Sequence, residues 1–452
     1  MSDEPTGESA LTFSGVELLE RAPRVQSLLA RARESQVDLR GVYVVGGAVR
    51  DAILGIDPGA DIDLAVEGDG RAFGRELASA LAGEVESEHD FGTSTSFIPL
   101  RDGDDASVVR VDVASCRLES YDEPGALPSV QLGASIEHDL HRRDVTVNSI
   151  AVALEPDDDG VHRIVDPEGG RHDLDARLLR VLHDGSFLDD PTRIFRVARY
   201  AGRLGFRVDE HTRALAMEGV VGGALGTVSA ERVRTELRLA LQEPAWDTLT
   251  LLSSWGVLER LEPRLEAAFR PPLLLRAIDE ACGDDPDRND RAWTLRLAAL
   301  ARPLGDDAAG WMSWLGFPAD VVNGVADHVR VLDAVLGRAD ELRALPNSGL
   351  YLELGDVADD TLALVALAVA DTDPELVERL VAFATAAEHA RLTVRGTDVI
   401  EAGVSAGPMV GRILGDLFLR TLDGELAGEA DERRALAELV EQARRIADEG
   451  TD

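Results

Sequence analysis

Residues 41–68, GVYVVGGAVRDAILGIDPGADIDLAVEG, leave this chain few folds to choose from. Residues 42–45 have the β-branched and aromatic content of a buried strand, and 48–54 alternate like a short helix, so Gly46-Gly47 is predicted to be a strand-to-helix turn. A glycine turn lets backbone approach a ligand closely, and the helix start beyond it offers unpaired N–H groups, a combination suited to phosphate. In ADIDLAV the two-residue period of a strand puts Asp61 and Asp63 on one face and Ile62, Leu64 and Val66 on the other. Two carboxylates side by side repel unless a cation sits between them, and hard oxygen donors of this kind suit Mg²⁺ shared with substrate phosphates. The plainer alternative is an edge strand with a solvated Asp face. The depletion of Asp in strands weighs against it.

At 452 residues the chain exceeds one compact core and implies two to four domains. Its 45% hydrophobic and 29% charged residues fit a globular protein. No apolar run approaches the roughly 18 residues that span a bilayer. The first ten residues, MSDEPTGESA, read as neither signal nor transit peptide. Cys116 and Cys282 have no metal-ligand spacing, and a reduced cytoplasm is the expected location. The net charge is −38, and none of the 46 basic residues is lysine. So acidic a chain should be repelled by nucleic acid at long range, which argues against general RNA binding. Local charge can override the sum, since residues 187–207 carry five arginines against two aspartates. An acidic lead of about 23 residues is expected to be flexible. Strand signals dominate from about 40 to 155 and helical periodicity after about 175, so the fold class is α+β, a mixed-sheet domain followed by an all-helical remainder.

Three further stretches carry chemistry. In DLHRRDVTVNSIAVAL, residues 139–154, Arg142, Arg143, Asp144 and Asn148 cluster just before a strand; guanidinium groups bind phosphate bidentately, and an adjacent Asp can orient an arginine or a ribose. A surface salt-bridge network is the alternative. VDPEGGRHDL, residues 165–174, reads as a tight turn between strands or at a hinge. In FLDDPTRIFRVARYAGRLGF, Asp190 and Pro191 have the pattern of an N-cap and first turn. Ile194, Val197, Ala198, Ala201 and Leu204 share one helical arc and Arg193, Arg196, Arg199 and Arg203 the opposite one, a pattern usually explained by a solvated basic face. Four His-Asp dyads, at His89, His138, His172 and His183, raise a metal phosphohydrolase. They lie outside the later helices and are read as structural.

In this order the stretches resemble the motifs of the class II tRNA nucleotidyltransferase and bacterial poly(A) polymerase family. VVGGAVRDAILG with DIDLAVEG resembles its nucleotidyltransferase motif, HRRDVTVNSIA its RRD-x-x-x-N motif, DPEGGRHDL its hinge motif and DDPTRIFRVARYAGRLGF its nucleobase-selecting motif. ERVRTELRLAL is similar to the helical motif that follows. The resemblance implies a polymerase β-like nucleotidyltransferase head at 24–155, a neck at 156–245, a helical body at 246–345 and a tRNA-binding tail at 346–452. It implies that Asp61 and Asp63 bind Mg²⁺, with Asp112 in VVRVDVAS as a third catalytic carboxylate. Gly46, Gly47 and Arg50 would line the phosphates and sugar, while Arg143, Asp144 and Asn148 would hold the triphosphate and ribose. Asp190 and Arg193 would stand in for a template, with Arg196 and Arg199 extending that face. The family usually has Glu where Asp189 stands.

The function implied is template-independent addition of C, C and A to tRNA 3′ ends from CTP and ATP, with no membrane partner. A CC-adding or A-adding enzyme, or a poly(A) polymerase, is the alternative within the same chemistry. A noncatalytic RNA- or nucleotide-binding protein of the same fold is the third. The segment ESYDEPGALPSVQLGASIE, residues 119–137, is expected to be a mobile loop that governs the switch from C to A.

Overall fold

The computed structural model describes residues 9, 12–102, 105–270, 273–283, 285–370 and 372–449. It divides into two compact units, Met1–Glu266 and Ala267–Asp452.

The first unit is built on a seven-stranded sheet. Its first five strands are β1 (Val42–Val45), β2 (Asp61–Val66), β3 (Glu84–His89), β4 (Thr93–Asp102) and β5 (Asp105–Ser115). After a separate two-stranded hairpin of β6 (Arg117–Ser120) and β7 (Ser129–Leu132), the chain returns to the sheet as β8 (Ala151–Ala153) and β9 (Ile164–Val165). The spatial order is β3-β4-β5-β2-β1-β8-β9. Only β2 and β5 run parallel, and they place Asp63 opposite Asp112. Strands β10 (Leu178–Leu179) and β11 (Arg207–Val208) form a short parallel pair.

One face of the sheet is buried throughout, while the other is buried only around β1 and β8 and lies open along β4 and β5, where Phe97 and Val108 are exposed. Ile62 and Leu64 are each 2% exposed on one face, and helix Gly70–Ala80 packs on β2, β4 and β5. The face that carries Asp61 and Asp63 continues into Ala65, which joins Tyr43, Val45 and Ala151 in a core cluster with Ile136 and Leu140 of helix Ile136–His141. One face is thus dry at one end and carboxylate-lined at the other.

Several expectations are corrected. Within the lead at 1–23, residues 1–8, 10 and 11 lie outside the described residues. The rest is not a loose arm: helix Gly15–Glu20 is closed by a capping box of Ser14 and Glu17, and Leu18 and Leu19 are buried. The division after residue 266 falls between the expected boundaries after 245 and 345, because helices Ala245–Ser254 and Val257–Leu261 belong to the first unit. Residues 119–137 are largely the β6–β7 hairpin and the start of helix Ile136–His141. The Gly169-Gly170 turn joins a strand to helix Gly170–Asp175 rather than two strands, and the Asp166 carboxylate accepts from the Gly170 and Arg171 amides at 2.6 and 3.0 Å.

The described part of the second unit is helical, with Ala319–Gly337, Pro374–His389, Pro408–Leu422 and Glu429–Glu449 among its longer helices. Its last helices enclose a core of Val394, Val399, Ile413, Leu417, Leu436 and Val440. Among the described residues no helix is long and apolar enough to cross a membrane.

Candidate active site

The turn between β1 and helix Gly47–Leu54 brings the first two motifs together. Gly46 has φ +68 and ψ −129, a conformation that L side chains rarely adopt. A side chain there would also come within 3.2 Å of an Arg143 guanidinium nitrogen and 3.9 Å of Asp63 Oδ2. The glycine turn, a β2 carboxylate and the RRD arginine therefore meet at one point.

From there the wall of a cavity of about 600 Å³ runs through every predicted site residue except Asp112. Asp112 stands beside Asp63 in the ladder, but its carboxylate is engaged by the Thr95 hydroxyl at 2.5 Å and by Arg110 at 3.1 Å. Arg50, 3% exposed, donates from Nη1 to Asn148 Oδ1 at 2.7 Å and pairs with both Asp51 oxygens. The Asn148 amide donates to Asp144 Oδ1 at 3.1 Å, and Arg196 clasps Asp144 Oδ2 through Nε and Nη2 at 2.8 and 2.6 Å. Burial alone would raise the Asp144 carboxyl; the Arg196 guanidinium and the Asn148 and Val145 donors outweigh it and hold the carboxyl well below the usual range. Asp144 in turn raises Arg196.

The basic helical arc is only partly the solvated face that its pattern predicts, since Arg196 and Arg203 keep 33% and 35% of their side-chain surface. In helix Thr192–Leu204, Arg193 and Arg199 are 5% and 8% exposed, because this side of the helix forms a wall of the cavity. Arg193 donates to Ser186 Oγ at 2.8 Å and to the Arg142 carbonyl at 2.7 Å. Asp190 Oδ1 accepts from the Thr192 amide and hydroxyl and from Arg232 at 2.7 Å. Asp190 and Arg193 thus face one cavity while each is braced by other groups. Asp189, on the other side of this turn, lies 3.8 Å from His183.

The sequence reading passed over several of these groups. The Tyr200 ring has the guanidinium carbons of Arg50, Arg196, Arg199 and Arg203 at 5.1–5.7 Å from its centre. Its hydroxyl accepts from Arg196 at 2.8 Å and donates to Asp144 at 3.3 Å. Tyr200 lies four residues beyond Arg196, so the helical period that grouped the arginines already placed it among them. Arg232 lies in ERVRTELRLAL and Glu119 and Tyr121 open the 119–137 segment, but no period marks them as site residues, since they reach the site only through the tertiary fold.

A family model for the Poly A polymerase head domain matches residues 42–180. The A-adding tRNA nucleotidyltransferase of Geobacter sulfurreducens is 32% identical over 428 residues, covering 89% of this chain and 45% of that protein. The multifunctional CCA protein of Pseudomonas aeruginosa is 38% identical over 310 residues, covering 65% of this chain and 69% of that protein. The chain belongs to the class II tRNA nucleotidyltransferase family. A Thermotoga maritima CCA-adding enzyme, solved in complex with tRNA, superposes with a TM-score of 0.68 at 26% identity, over 95% of this chain and 99% of that one. This class II chain spans half or less of the A-adding relatives it matches, 45%, 49% and 25% of their lengths.

The carboxylates fit the divalent cation that membership of a class II family implies. Neither Asp61 nor Asp63 has a hydrogen-bond or ion-pair partner among the described residues, and both face the cavity. Asp63 keeps exposed surface yet lies among enough protein for burial to raise its carboxyl, with Asp112 and Asp61 adding repulsion and Arg143 opposing it. Among the described residues no three His, Cys, Asp or Glu close into a ready-made cage, the four His-Asp dyads included. A cation on Asp61 and Asp63 would complete its shell with phosphate and water oxygens, which is how Mg²⁺ is commonly held.

Proposed function

We propose that this protein adds C, C and A to the 3′ end of tRNA in the cytoplasm, with CTP and ATP as donors and pyrophosphate as the leaving group. The observation that carries the reading is the convergence on one cavity of the Gly46-Gly47 turn, the Asp61–Asp63 pair, the Arg143-Asp144-Asn148 group and the Asp190–Arg193 pair. Mg²⁺ held by Asp61 and Asp63, with Asp112 in support, would neutralise phosphate charge and lower the pKa of the attacking 3′-hydroxyl.

The chain's own residues supply position and selection. Gly46 and Gly47 open the turn to the triphosphate, and Arg50, Arg143, Arg196 and Arg199 offer it donors. Asp144 holds Arg196 and Asn148 holds Arg50, and the two would face the ribose. An Asp190 carboxylate accepts from the exocyclic amino group of C or A, while the Arg193 guanidinium donates to the adjacent ring nitrogen. U and G present the reverse polarity and would leave buried groups unpaired, a loss large enough for strong discrimination. The helical unit, with the tail at 346–452, would hold the body of the tRNA.

A second reading, addition of the terminal A alone, is favoured by the likeness to the Geobacter sulfurreducens A-adding enzyme along 89% of this chain. Incubation with tRNA ending before CCA, tRNA ending in CC, or a generic RNA 3′ end, with each nucleotide supplied separately, separates the readings. Extension of the first substrate by CTP and then ATP supports full CCA addition. Extension of the CC-ended tRNA alone selects A addition, and repeated A on generic RNA selects a poly(A) polymerase. Nucleotide binding without extension of any substrate leaves only the noncatalytic reading.

A further inference from the structure

The β6–β7 hairpin is pinned at both ends onto the residues assigned to base selection. At the strand end, Arg193 donates to the Arg142 carbonyl at 2.7 Å, and the Arg142 guanidinium reaches Glu119 at 3.1 Å. Glu119 also receives Arg117 at 2.9 Å and the Tyr121 hydroxyl at 3.1 Å. At the tip, the Gly125 amide donates to the Leu188 carbonyl at 3.0 Å. Arg232 bridges the Gly125 carbonyl at 3.4 Å and Asp190 Oδ1 at 2.7 Å. The tip is seated tightly, since a side chain at Gly125 would fall 2.0 Å from the Thr227 hydroxyl oxygen. One guanidinium therefore spans the gap between the tip and Asp190, and Tyr121 lies between the two anchors.

Two aromatic side chains line the cavity, Tyr121 and Tyr200. Tyr200 is 6% exposed, with four guanidinium groups gathered around its ring. Tyr121 is half-buried, donates from its hydroxyl to Glu119, and lines the cavity. Its surroundings agree: burial, then Glu119, pushes the phenol up to about 12, and the charges of Arg193 and Asp190 also reach it. Asp190 and Arg193 can read the hydrogen-bonding edge of a base, but neither supplies a flat apolar surface for its π-face. An aromatic face beside an edge reader is the usual complement, and stacking tolerates C and A alike because every base has a π-face.

We propose that the hairpin forms the wall at the base end of the nucleotide site and that the Tyr121 ring is the surface on which the incoming C or A stacks. The inference rests on the reading of Asp190 and Arg193 as base-selecting groups. It makes Tyr121 a residue that binds substrate, and Glu119 and Arg142 residues that position it.

The test compares wild type, Tyr121→Ala and Tyr121→Phe. Affinity for CTP and ATP is measured on the full chain without tRNA, and KM and kcat for each nucleotide are measured with tRNA present. Loss of the ring should weaken both nucleotides about tenfold, more for the larger purine, in Kd and KM together. The KM for tRNA and the melting temperature should stay near wild type. Tyr121→Phe keeps the ring while losing the bond to Glu119, and should recover most of the loss. Unchanged nucleotide affinity in Tyr121→Ala overturns the proposal, as does a Phe variant as poor as Ala. Extension of tRNA by the wild type tests the functional reading separately, so failure of one is not mistaken for failure of the other.

Discussion

Asp61 and Asp63 sit where local charge is least comfortable, on a strand beside Asp112 and without a partner of their own among the described residues. Removing either should abolish nucleotide addition by orders of magnitude while sparing the fold, because no apolar packing is lost and like-charge repulsion is relieved. Asp61→Ala and Asp63→Ala are expected to melt at or slightly above the wild-type temperature, which thermal denaturation checks beside an extension assay. Arg193 behaves differently. Arg193→Ala should erase the preference for C and A over U and G, and should also cost about 1–3 kcal/mol, since Ser186 and the Arg142 carbonyl lose a buried donor. Incorporation of the four nucleotides by this variant, beside its denaturant midpoint, reads both effects. A change in stability with selectivity intact would leave Arg193 a structural residue only.

At the scale of elements, the pair Asp144–Arg196 ties the turn after helix Ile136–His141 to helix Thr192–Leu204. Asp144→Asn removes the charge that Arg196, its side chain 33% exposed, clasps, and should cost about 1–3 kcal/mol at pH 7. The sign with pH follows from the depressed Asp144 carboxyl. Its contribution is complete above the unfolded value of about 4 and is lost as pH falls from there through the folded value. The stability gap between wild type and Asp144→Asn should therefore be widest at neutral pH and narrow steadily below about pH 4. Urea titrations across that range check it, and a constant gap would mean that the carboxylate charge contributes nothing.

Over the whole molecule, the charge of −38 sets two opposite responses to salt. Self-repulsion is screened as salt rises, so the melting temperature should climb from low to moderate ionic strength. The proposed binding of tRNA would have to come from local arginines, many of which in the second unit already lean on acids, as Arg338 does on Glu341 and Glu353 and Arg433 on Glu429. Affinity should still fall with a clearly negative slope of log K against log salt. Parallel melting and binding series over the same salts check the pair. A flat binding slope would exclude tRNA as the ligand.

Local pattern determined the parts of this protein whose cause is local. The strand, glycine turn, helix and Asp-x-Asp strand of residues 42–66 were legible because period and turn chemistry act within a few residues. The four motifs were recognised by their resemblance to a family, and every site residue taken from that resemblance except Asp112 lines the cavity, whereas Glu119, Tyr121 and Tyr200, which also line it, were passed over. Tertiary structure decided what those residues face. A helical wheel separates arginines from apolar residues, but only the packing of β1, helix Gly47–Leu54 and the RRD turn against helix Thr192–Leu204 makes the basic arc a cavity wall rather than a fully solvated surface. Residues 119–137, rich in Gly, Pro and Ser, read as a loop. They pair as the β6–β7 ladder, which Arg142 and Arg232 anchor from 23 and 107 positions away. Such partners leave no periodic trace in the chain, since periodicity records which way a side chain points and not what the fold brings to meet it.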